Sequence, residues 1–141
     1  MNPSYLLGKT FTCECGQKHS VAIREIIYSE SAINEAGDIL GRNFQKKAAV
    51  LIADQRTFAA AGKALARSLT NGGFKITSLF LPDGKGGKDP VCDDNTLDYI
   101  RGRLPECDFY LAVGSGVISD LTKWLASETH KPYATLATAA S

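Results

Sequence analysis

Residues 109–126 read FYLAVGSGVISDLTKWLA. Five apolar residues without a polar break suit a strand covered on both faces, as in a parallel sheet. Gly114, Ser115 and Gly116 follow, and then Val117, Leu121, Trp124 and Leu125 recur at helical spacing. A buried strand that turns through small residues into a helix is the working half of a βαβ unit. Glycines let the backbone approach a ligand with no side chain in the way. The orphan N–H groups and the dipole at the helix start then favour a phosphate or pyrophosphate. Ser119 stands where a full dinucleotide fingerprint has its last glycine. Two uses of the turn stay open on these grounds: phosphate binding, or a tight turn that packing requires.

Upstream, Ala48 to Ala53 is the longest apolar run, AAVLIA, and it also suits a buried strand. Phe58, Ala61, Leu65 and Leu69 form a helical stripe that Asn71, Gly72 and Gly73 stop. Phe74 to Leu81 resumes as a strand, and the stretch from Pro82 to Pro90 is a solvated Gly- and Lys-rich loop. Asp93 or Asp94 caps a helix with Leu97, Ile100 and Leu104 on its face. Lys131 and Pro132 break the helix after the glycine turn, and Tyr133 to Ala137 is a last strand. In front of all this, Ser31 can cap a helix bearing Ala32, Ile33, Ala36, Ile39 and Leu40, which Gly41 ends. Thr10 to Ser29 reads as a hairpin with β-branched residues from Val21 to Ile27. The expected fold is α/β: a Rossmann-like parallel sheet of five or so strands, ordered βαβαβαβαβ, with helices on both faces and an N-terminal β-hairpin before it.

Asp54 directly follows AAVLIA. A carboxylate there can take the hydroxyls of an adenine ribose, or it can cap the helix that begins near Thr57. Asp120 suits the dipole at its helix start and can also reach a ligand bound at Gly114. Cys13, Cys15 and His19 bring three soft donors within seven residues. Structural zinc uses four ligands and no second pair is apparent, so free thiols on a hairpin are the expectation and a zinc-dependent interaction module is the alternative. His130 sits near a helix end and needs no further role.

The 141 residues are the size of one domain and can bury about 70% of the unfolded chain's surface. Sixteen Lys plus Arg against fifteen Asp plus Glu leave a net charge of +1, so no basic surplus marks a nucleic-acid or membrane-surface partner. No apolar run approaches the roughly 18 residues a membrane span needs. The first residues have no signal core, and the four cysteines are expected to be reduced, as in a cytoplasmic protein.

The stretch AVGSGVISDLTKWLA followed by KPYATLATAAS resembles the nucleotide-binding half of the glycerol-1-phosphate dehydrogenases. These stand in the group of iron-containing alcohol dehydrogenases, glycerol dehydrogenase and dehydroquinate synthase. AAVLIADQRTFAAAGKALARSL resembles them too, and the likeness runs from about Val21 to Ser141. It implies an NAD- or NADP-linked oxidoreductase that interconverts glycerol 1-phosphate and dihydroxyacetone phosphate. Asp54 would contact the adenosine ribose. Gly114, Ser115, Gly116, Val117 and Ile118 would hold the pyrophosphate with Asp120 nearby, and Thr138 and Ser141 would line the nicotinamide side.

In that group a second, helical domain supplies an aspartate and two histidines to a divalent zinc, iron or nickel ion that polarises the substrate carbonyl. This sequence has two histidines, His19 and His130, neither at those positions. The expectation is therefore one nucleotide-binding domain over residues 1–141, the N-terminal part of a larger two-domain enzyme. Alone it would be inactive, and its uncovered face would self-associate. The alternative is a stand-alone nucleotide-binding or sensor module without catalysis.

Overall fold

The computed structural model describes residues 3–114 and 116–139. The chain divides into two compact units, one reaching Ala32 and the other beginning at Ile33.

The first unit is built on a short antiparallel hairpin, β1 (Thr10–Thr12) and β2 (Lys18–Ser20). It is shorter than the pattern suggests. Val21 still donates to Lys9 O at 2.9 Å and Gly8 to Ile23 O at 2.8 Å, but residues 21–29 form no regular strand. Their β-branched side chains have no ladder beyond those bonds. Ile23, Ile26 and Tyr28 are exposed.

The second unit is a parallel sheet in the order β4 (Lys75–Phe80), β3 (Ala48–Ala53), β5 (Phe109–Val113), β6 (Tyr133–Leu136). Four strands form it, not five or so, and the described order from Ala48 is βαβαβαβ. The continuous apolar runs are explained by their two-sided burial. Ala49, Leu51 and Ala53 join Phe109, Leu111 and Val113 on one face, against Ala36 and Leu40 of α1 (Ala32–Asn43) and Leu65 and Leu69 of α3 (Lys63–Asn71). Val50, Ile52, Tyr110 and Ala112 face the other way, against Leu97 and Ile100 of α4 (Asp94–Arg101) and Ile118, Leu121 and Leu125 of α5 (Val117–Thr129). Strand alternation thus sends successive residues to two separate cores. Truncating a fully buried member such as Leu51 to Ala would cost about 2–5 kcal/mol.

Two helix boundaries differ from the sequence reading. Gly41 does not end α1, which runs through it to Asn43. Phe44 continues the ladder by donating to Leu40 O at 2.8 Å, and its ring stacks on Phe109 with centroids 4.4 Å apart. That burial holds the last turn in place. The helix after β3 starts at Gln55, as α2 (Gln55–Thr57), and passes through a π-turn at Phe58–Gly62 before α3. The Phe58 ring lies over Gly62, where a Cβ would come within 2.7 Å of it. Asn71 and Gly72 end α3, and Asp93 caps α4, as expected.

Among the described residues, no helix is long and apolar enough to cross a membrane.

Candidate functional site

The strand order sets the location of the site. From β3 the chain moves outward to β4, then crosses back over β3 to β5 and on to β6. The direction therefore reverses between β3 and β5, and the crevice beyond their carboxyl ends is where open α/β sheets take ligands. The register pairs Ile52 with Ala112 and Val113 with Leu136. Asp54, Gly114 and Thr138 accordingly each lie two residues past a paired position, on three neighbouring strands. The candidates from Asp54 to Thr138 thus gather at one edge, although 84 residues of sequence separate the outermost two.

At the first turn, Asp54 is buried and extended, and it closes a capping box. Its Oδ1 accepts the Thr57 N–H at 2.7 Å, and its own N–H donates to Thr57 Oγ1 at 3.1 Å. Arg56 Nη2 stands 3.5 Å from the other carboxylate oxygen. A carboxylate offers about four lone-pair sites, so acceptor capacity remains on Asp54 for a hydroxyl. The cap reading of Asp54 is thus realised in the geometry, with lone-pair capacity left over on its carboxylate.

Sequence reasoning missed Arg56. Its guanidinium also pairs with Asp83 at 2.9 Å and Asp89 at 3.3 Å. The Asp83 hydrogen bond, then the surrounding carboxylates, raise its pKa. Arg56 ties the carboxyl end of β3 to the 82–90 loop. That loop is itself closed by Gly84 donating to Lys88 O at 2.9 Å. The available signal was an arginine two residues after Asp54 and a pair of aspartates flanking the glycines.

At the second turn, Gly114 donates to Leu136 O at 3.0 Å and is buried. A Cβ on Gly114 would meet Ile118 Cδ1 at 2.5 Å and Ile118 Cβ at 3.0 Å, so packing requires glycine there. Gly116 differs. Its φ of +43° is a conformation that side chains disfavour, yet a Cβ there would meet nothing within 4 Å. It is the N-cap of α5, and among the described residues no side chain caps that helix start. Val117 and Ile118 pack into the core, so their backbone amides are what they can offer a ligand. Asp120 is exposed and pairs with Lys123 Nζ at 2.9 Å. That bond raises the Lys123 pKa. Thr138 is exposed beyond β6. Ser115 and Ser141 lie outside the described residues.

Among the described residues, one group of three or more metal-ligating side chains comes together: Cys13, Cys15 and His19, on the hairpin of the first unit.

The family model that matches this chain is described as iron-containing alcohol dehydrogenase, over residues 27–141. Glycerol-1-phosphate dehydrogenase [NAD(P)+] of Bacillus velezensis is 32% identical over 135 residues, covering 93% of this chain and 33% of that protein. Its counterpart from Geobacillus thermodenitrificans is 28% identical over 130 residues, with 92% and 32% covered. A 3-dehydroquinate synthase of Mesorhizobium japonicum is 29% identical over 103 residues, 72% of this chain and 27% of that one. Among solved structures, glycerol dehydrogenase from Schizosaccharomyces pombe superposes with a TM-score of 0.65 at 24% identity, over 76% of this chain and 25% of that one. The chain therefore spans about a third of the length of the curated relatives it matches. The iron in the family description finds no ligand set here: among the described residues from Ile27 on, no three candidate donors converge.

Proposed function

Because the chain belongs to the iron-containing alcohol dehydrogenase family, we propose that it is the nucleotide-binding portion of a dehydrogenase and takes NAD or NADP at the carboxyl edge of its sheet. In this reading the pyrophosphate rests on the start of α5, over Gly116 and the amides of Val117 and Ile118. The adenosine ribose hydroxyls donate to Asp54. Thr138 flanks the nicotinamide side, and Asp120 with Lys123 stands at the rim. The bound nucleotide supplies the hydride chemistry. The chain's own residues position it, and none of the described ones is assigned a catalytic step. The substrate pair is glycerol 1-phosphate and dihydroxyacetone phosphate, by analogy with the relatives' names. A cytoplasmic location goes with the reading. Self-association goes with it too, supported by the exposed apolar Val91, Trp124 and Tyr133.

The observation that carries the proposal is the helix start at Gly116. Its dipole and amides favour an anion, and Gly116, its N-cap, brings no side chain of its own to the space in front of them. Titration calorimetry of the chain with NAD and with NADP tests it. Binding should be weak, and Gly116→Val should abolish it by filling the space above α5. Unchanged affinity in Gly116→Val would remove the pyrophosphate from this turn.

A further inference from the structure

The hairpin of the first unit carries a feature that the nucleotide reading does not use. Antiparallel pairing sets Phe11 opposite His19 and Thr12 opposite Lys18, and Cys13, two residues past Phe11, donates to Gln17 O at 2.8 Å. Residues two apart on a strand share a face, so Cys13 and His19 are diagonal neighbours on one side of the hairpin. Cys13 accepts the Gly16 N–H at its carbonyl, 2.9 Å, closing a tight turn in which Gly16 takes φ +82°. The turn swings Cys15 back toward the same side. Cys15 Sγ lies 3.1 Å from His19 Nε2, and the donor atoms of all three residues lie within 4.8 Å of one another. Around a tetrahedral zinc with Zn–S of about 2.3 Å and Zn–N of about 2.0–2.1 Å, such atoms stand roughly 3.5–3.8 Å apart. Small side-chain rotations therefore bring the set to coordinating geometry.

From this juxtaposition of Cys13, Cys15 and His19 on one face of a glycine-turned hairpin, we infer a Cys2His site for a soft divalent cation, zinc first. Two thiolates and an imidazole select zinc over the harder ions that prefer oxygen. Cys15 and His19 are exposed, so the fourth position faces solvent and is filled by water or an incoming donor. On binding, the two cysteines each release a proton to solvent. The site lies before residue 27, outside the stretch matched to the iron-containing family, and stands independently of the nucleotide proposal.

Cobalt titration of the reduced full chain tests this. One equivalent of Co2+ should produce a sulfur-to-cobalt charge-transfer band with the strong visible bands of a four-coordinate ion, and equimolar Zn2+ should discharge both. The bands should be absent in Cys13→Ser and Cys15→Ser and intact in Cys92→Ser. His19→Ala should weaken zinc binding by more than the roughly 10- to 100-fold that losing an outer-shell partner costs. Zinc-edge X-ray absorption of the unaltered chain gives a readout that no variant can confound: sulfur neighbours at about 2.3 Å together with imidazole. A zinc shell without sulfur, or no charge-transfer band, overturns the assignment. So do bands that survive both serine variants or vanish with Cys92.

Discussion

The turn after β3 and the turn after β5 lie side by side at the same sheet edge, and each passes a buried strand into a helix. They solve the helix start in opposite ways. Asp54 and Thr57 satisfy each other's backbone, so α2 presents a finished N-terminus with Arg56 folded over it. α5 begins at a glycine, with no side-chain cap among the described residues. A carboxylate on a helix start occupies the place an external anion would take, whereas a bare start leaves dipole and amides to be used. The pair therefore divides the work by chemistry. In the proposed reading the capped turn would offer an acceptor for hydroxyls, and the turn into α5 would offer donors for phosphate.

The contrast breaks most visibly at Gly114. Its missing Cβ is demanded by Ile118, which the first turn of α5 drives against β5. Gly114→Ala should destabilise the chain by about 1–3 kcal/mol, the usual cost of overpacking a filled core. Urea unfolding would read this as a lower midpoint at unchanged slope. An unchanged midpoint would mean that the turn relaxes freely and that Gly114 is not a packing glycine. Gly116 has the reverse character: its Cβ would meet open space, so any loss of stability in Gly116→Val comes from backbone strain at φ +43° and not from packing, and its binding is to be read on the folded fraction.

A smaller effect sharpens the role of the capped turn. Asp54→Ala removes the acceptor of the Thr57 N–H and should cost about 0.5–2 kcal/mol. Asp54→Asn keeps a capping oxygen and loses only the charge facing the half-exposed Arg56, so its cost should stay within about 1 kcal/mol. If Asp54 also receives a ribose, both variants weaken NAD binding, because a hydrogen bond to a charged acceptor is worth more than one to a neutral amide. Lower stability in Asp54→Ala with NAD affinity untouched in both would leave it a cap alone.

These two turns also mark the limit of what the sequence discloses. The uninterrupted runs at 48–53 and 109–113 announce a two-sided sheet, because only burial on both faces tolerates them. The Gly-x-Gly spacing announces a tight turn, and Asp54 after a strand announces a cap or a ligand contact. What no local pattern carries is register. That Asp54, Gly114 and Thr138 gather at one edge follows from the order β4-β3-β5-β6, a property of long-range pairing. The span of Arg56 to Asp83 and Asp89 depends on the same pairing, since β3 and β4 must lie adjacent for the loop after β4 to reach it. Gly41 misleads for a related reason. Its local signal ends a helix, but Phe44 docking on Phe109 prolongs it. The hairpin triad was visible as spacing alone. Its convergence needed the Phe11–His19 register and the Gly16 turn.

The start of α4 gives the smallest effect and tests whether carboxylate caps here act through charge. Asp93 accepts the Thr96 N–H at 2.8 Å, much as Asp54 accepts that of Thr57. That backbone bond, then the Thr96 side chain, hold the Asp93 pKa below its ordinary 3.8 in the folded chain. A carboxylate with a depressed folded pKa stabilises the fold above the unfolded value, and the contribution is lost as pH falls through the folded one. The window therefore opens at pH 3.8 and lies below it. Asp93→Asn keeps a capping oxygen but cannot titrate. The stability gap between the unaltered chain and this variant should be flat at neutral pH and should narrow below pH 3.8. Urea unfolding across that range measures it. A gap that ignores pH would assign the cap at Asp93 to hydrogen-bond geometry alone, and would weaken the claim that a carboxylate on a helix start stands in for an anion at the neighbouring, open one.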